Sequence, residues 1–111
     1  MKSREQLVLR ALQALGVVGA GQQASAEDAK VVDDEVVPVL SDLARRNIYN
    51  FGDPDQVEED AFVHLARILA NSTAEQFGLP QSDETRLYAE GRLRELRAVR
   101  DAGDPIPALY F

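Results

Sequence analysis

His64 is the one histidine in the chain, which makes it the first place to look for chemistry. Its neighbours at helical spacing are Glu59, Asp60 and Arg67. A histidine with a carboxylate four residues away is half of a metal site, and a second imidazole or a thiolate is needed to finish it. The chain has no second His and no Cys. The expected state is a surface histidine beside a helix carboxylate, with no metal and no other cofactor.

Carboxylates are dense at Asp33-Asp34-Glu35 and Glu58-Glu59-Asp60. Acid–base or glycosidic work needs two acids opposed across a cleft with separated pKa values. Consecutive acids on a helix splay apart, so each run reads as a solvated face, or as one turned to a lumen or a basic neighbour. The stretch 16–21, GVVGAG, resembles a phosphate loop only superficially. No strand precedes it, no Lys-Ser or Lys-Thr follows, and its glycine spacing is wrong. It reads as a flexible link between helices. With no nucleophile motif either, the chain is not expected to be an enzyme.

The remaining charged cluster is basic: Arg86, Arg92, Arg94, Arg97 and Arg100, interleaved with Glu90 and Glu95. Between Ala26 and Asp60 the bases are only Lys30, Arg45 and Arg46 among many acids. One account is a solvated helix with Glu90–Arg94 as an i, i+4 pair. The other sets Arg92, Arg94, Arg97 and Arg100 of one copy against Asp33, Asp34 and Glu35 of a neighbour. Direct DNA contact by the arginines ranks third, because a net charge of −7 opposes general nucleic-acid binding. That charge suits a wall that DNA slides past without adhering.

Four helices must position these groups. The first spans Arg4 to Leu15, with Leu7, Val8, Ala11, Leu12 and Leu15 on one face, a Ser3/Gln6 capping box before it and Gly16 after it. The second spans Ala26 to Arg46, capped by Ser25, with Val32, Val36, Val39, Leu40 and Leu43 inward. Pro38 predicts a kink or break near 34–37, and the clean resumption of the pattern favours one kinked helix. The connection NIYNFGDPD is pinned by Ile48, Tyr49 and Phe51. A third helix is expected from Pro54, capped by Asp53, to Gln76, with Val57, Ala61, Phe62, Leu65, Ile68 and Leu69 inward. Ser82 caps a fourth from Asp83 to Arg100, with Ala89, Leu93, Leu96 and Val99 inward and Leu87 on the flank. The fold class is therefore all-α, a small bundle with an extended C-terminal tail and no sheet.

At 111 residues this is one domain, large enough to bury about 65% of its extended surface. No apolar h-region follows the charged MKSREQ start, and no apolar stretch is long enough to span a membrane. Lack of Cys fits a reducing cytoplasm.

The segments LVLRALQALGVVGAGQ, SAEDAK, IYNFGDPDQ and EEDAFVHLARILA carry a family resemblance that extends from about Gln6 to Gly78. They resemble the head-to-tail connector (adaptor) proteins of tailed bacteriophages, in particular the packaged-DNA stabilisation or tail accessory factors. The resemblance implies a helical bundle, a ring of about a dozen copies beneath the portal protein, and a channel through which packaged DNA passes without sequence-specific binding. It implies a virion protein made in the host cytoplasm, with a downstream tail or tail-nozzle protein as a further partner. No membrane is involved.

In such proteins the C-terminal segment reaches into the portal, which here falls on 104–111 beyond a helical domain of 1–103. Pro105 and Pro107 would hold it extended, and Leu109, Tyr110 and Phe111 would be its apolar anchors. The competing readings are the tail folding back onto its own domain and, for the whole chain, a small helical DNA-binding regulator.

Overall fold

The computed structural model describes residues 1–19 and 21–102, which form four α-helices and one short 3₁₀ turn. Helix α1 is Arg4–Leu15, α2 is Ala26–Arg45, α3 is Glu59–Thr73 and α4 is Asp83–Ala102, with the 3₁₀ turn Ala74–Phe77 between the last two. No strand is present among the described residues; a single antiparallel bridge joins Lys2 to Val57. The tail 104–111 lies outside them, and so do the docking candidates Pro105, Pro107, Leu109, Tyr110 and Phe111.

The helix boundaries follow local chemistry. Ser3 accepts from the Gln6 N–H at 3.2 Å while its own N–H donates to Gln6 Oε1 at 2.8 Å, a complete capping box. Ser25 and Ser82 cap α2 and α4 through the N–H groups of Asp28 and Thr85. Gly16, at φ 77°, and Gly78, at φ 73°, stop α1 and the 3₁₀ turn in the left-handed conformation that favours glycine. Asn47 does the same after α2, at φ 59°. Helix α2 runs unbroken through Pro38. That proline is exposed, as is Asp34, whose carbonyl loses its helical donor, so water can satisfy the freed group.

The start of α3 differs from the sequence expectation. Asp53 does not cap a helix at Pro54; its carboxylate accepts from the Asp55 N–H at 2.9 Å and its carbonyl from the Gln56 N–H, forming a turn. Val57 then exchanges both backbone hydrogen bonds with Lys2, each 2.8 Å, and is fully buried. This pairing holds the chain extended until Glu58, so the helix begins at Glu59. At the other end α3 tightens to 3₁₀ from Ala74, next to Thr73, whose buried hydroxyl donates back to the Leu69 carbonyl.

Helix α3 is the hub, packing against α1, α2 and α4. Three neighbours explain why its buried surface exceeds one stripe, with Ala66 and Ala70 added to Ala61, Phe62, Leu65, Ile68 and Leu69. The same core takes Leu7, Val8, Ala11 and Leu12 from α1, Val32, Val36, Val39 and Leu43 from α2, and Ala89 and Leu93 from α4. Ile48 and Tyr49 are buried and Phe51 packs at the edge, pinning the α2–α3 connection as expected.

Candidate functional site

The least expected group in the bundle is Glu90, a carboxylate only 1% exposed on α4. Arg46, just past the end of α2, approaches it as a fork: Nη1 donates to Oε1 at 3.2 Å and Nη2 to Oε2 at 2.7 Å. Arg86, one turn earlier on α4, adds a third bond to Oε2 at 3.3 Å. Arg46 also holds Asp42 through Nε at 2.9 Å, and Arg86 lies 3.7 Å from Asp83. Burial pushes the Glu90 carboxyl up, but the hydrogen bonds and charges of Arg46 and Arg86 outweigh it and hold the pKa below its ordinary value. The Arg46 hydrogen bond does the same for Asp42, and Glu90 first, then Asp42, raise Arg46.

Every acid of this cluster is matched to a guanidinium, so none is poised to take or give a proton. The cluster lines a cleft between α2, α3 and α4 and acts as a latch that ties α4 to the end of α2. The expected Glu90–Arg94 pair does not form. Sequence reading missed the latch, although one signal existed: Glu90 stands one residue after Ala89 and three before Leu93, beside the buried seam.

Most of the other charged candidates are also engaged within the chain. Asp33 binds Arg4 at 2.7 Å, Asp34 binds Lys30 at 3.2 Å, and Glu35 accepts from the Ser72 hydroxyl at 3.5 Å. Arg92 binds Glu95 at 2.7 Å and Arg97 donates to the Asn47 carbonyl. Arg100 reaches Glu58 at 3.3 Å and covers the Tyr49 ring at 4.6 Å from its centroid. The acidic and basic halves of the chain are thus partly matched to each other inside one copy. Arg94 is exposed on α4.

His64 is not the carboxylate-paired surface histidine the spacing suggested. Its Nδ1 is buried with no hydrogen-bond partner. Desolvation, then the charges of Arg92 and Arg67, lower its pKa and so favour the neutral ring. Among the described residues no group of three or more His, Asp or Glu is arranged to hold a metal ion, and no helix is long and apolar enough to cross a membrane.

Two open surfaces stand out among the described residues. One is a mixed groove of about 800 Å³ between α1, α3 and α4, where Leu15, Ala70, Ala74, Leu79, Pro80 and Tyr88 are joined by the polar Arg67, Asn71, Ser82, Glu84 and Thr85. The other is the outer face of α4, where Leu87, Tyr88 and Val99 are 56%, 59% and 70% exposed. Val99 was expected inward with Ala89, Leu93 and Leu96. Ten residues of helix rotate it about 80° off the Ala89 line, out of the seam that α3 covers. No protein family, curated protein or solved structure matches the chain.

Proposed function

We propose that the chain is a structural, non-catalytic assembly subunit: a head-to-tail adaptor that forms a ring under a phage portal, extends the DNA channel and helps to retain packaged DNA in the virion. The observation that carries this reading is α4. Ion pairs to α2 and to the α3 entry lock the helix in place, yet large apolar side chains stand in water on its far face. Such a face on a rigid element suits contact with another protein. The all-α bundle agrees with what the sequence resemblance implies, and the net charge of −7 suits a channel wall that does not adhere to DNA. A DNA-reading α4 is less favoured, since Arg86, Arg92 and Arg100 are occupied by carboxylates of the same chain.

On this reading the segment 104–111 supplies the portal contact through Pro105, Pro107, Leu109, Tyr110 and Phe111. Negative-stain electron microscopy of purified portal mixed with the chain tests it. An added ring layer, lost when 104–111 is removed, is the expected result. Portal particles unchanged by a molar excess of the chain would overturn it.

A further inference from the structure

The outer face of α4 contains one more feature that nothing among the described residues requires. Gly91 sits in mid-helix, where glycine weakens helical structure, and a Cβ built there meets open space. Its φ is not positive, so the backbone does not demand glycine either. At 100° per residue Gly91 shares a face with Leu87, Tyr88, Glu95, Ala98 and Val99, opposite the buried Ala89 and Leu93. A glycine flanked by exposed apolar residues suits close approach by a helix from outside.

We propose that this face pairs two copies of the chain, their α4 helices packed antiparallel about a two-fold axis between Leu93 and Arg94. Such an axis brings like edges of the two helices together with their directions reversed. Tyr88 of one copy then lies level with Val99 of the other, and Arg92 lies level with Glu95 of the other. Leu87 comes to the Ala98 region, and Gly91 near the middle lets the backbones approach.

Charge selects the direction. Arg92 and Glu95 already pair at 2.7 Å within each chain, and antiparallel packing joins two such pairs into an alternating network. Parallel packing in register would set Arg92 on Arg92 and Glu95 on Glu95. Arg94 flanks the axis on the opposite edge, where its two copies repel. One face of about three helical turns buries well under the roughly 1,200 Å² of a standard stable interface, so the pair is weak and exchanges readily. A two-fold contact closes on itself and does not build a ring. It is the form of the free subunit, and it stands or falls independently of the portal reading.

The test uses the full chain without portal protein. The sequence has no cysteine, so single-cysteine variants report one contact each. Tyr88→Cys mixed with Val99→Cys in a thiol–disulfide exchange buffer is expected to give the mixed disulfide in excess over either self-linked product. Excess self-linked product, as parallel packing would give, overturns the proposal, and so does a purely statistical mixture. In sedimentation equilibrium, Arg92→Glu or Glu95→Arg alone is expected to weaken pairing about fivefold or more, and the two together to restore it. Arg94→Gln is expected to tighten it. A chain that stays monomeric at millimolar concentration overturns the proposal.

Discussion

Arg46 and Glu90, 44 residues apart in sequence, meet as a fork on a carboxylate with bonds of 3.2 and 2.7 Å. The guanidinium side of this pair keeps contact with water, whereas the carboxylate is almost wholly buried. That asymmetry determines what each substitution does.

Arg46→Met removes the fork and leaves a buried charge held by Arg86 alone. The expected loss is about 2–4 kcal/mol in urea unfolding, because an uncompensated buried carboxylate is destabilising. Adding Glu90→Leu removes the stranded charge, so the double variant should recover most of that loss. A change under about 0.5 kcal/mol for Arg46→Met would place the pair among ordinary surface ion pairs.

Acidification should weaken the fold in two steps. The first belongs to His64, whose folded pKa lies below its ordinary 6.5. Between those two values the unfolded chain binds the proton more readily, so stability falls as pH drops below 6.5. The second belongs to Glu90, with Asp42 in the same direction. Its folded pKa is below the ordinary 4.5, so its contribution is present above 4.5 and is lost as pH falls through the folded value. Thermal melts across this range should show His64→Gln removing the first step and Glu90→Gln flattening the second. A His64→Gln profile identical to the parent would exclude a lowered His64 pKa.

The helices themselves were legible because their signals are local. Apolar residues at a 3.6-residue period and serines before three of the four runs required no tertiary knowledge, and Ser3, Ser25 and Ser82 all cap as expected. Asp53 misled because the same Asp-Pro signal serves a turn as well as a cap. What decided between them was Val57 pairing with Lys2, a contact across the whole first half of the chain. Glu90 escaped for a similar reason: its partner Arg46 comes from another helix end, and sequence spacing points only to Arg86 and Arg94. Val99 was misassigned because helical rotation carries it about 80° off the Ala89 line, which a loosely drawn apolar stripe overlooks.

The core register has its own test. Leu65 is 1% exposed on the hub helix and belongs to a cluster shared with α1, α2 and α4. Leu65→Ala should destabilise by about 2–5 kcal/mol, from lost transfer energy and the cavity left behind. An effect below about 0.5 kcal/mol would mean that this face is not core.

Gly91→Ala separates the fold from its outer surface. Within one copy the new methyl group meets nothing among the described residues, so the substitution carries no steric penalty there and gains helix propensity. Gly in a helix interior is about 0.5–1 kcal/mol less favourable than Ala, so the variant should unfold at a higher denaturant concentration with an unchanged slope. If glycine serves close helix approach, the same change that stabilises the monomer should weaken the pair. The two effects have opposite signs and are read by different measurements, denaturation at low concentration and sedimentation at high concentration. A variant that gains stability and pairs as well as its parent would show that Gly91 has no part in the contact. A variant that loses stability at low concentration would show that the monomer itself needs glycine there, contrary to the open space around it.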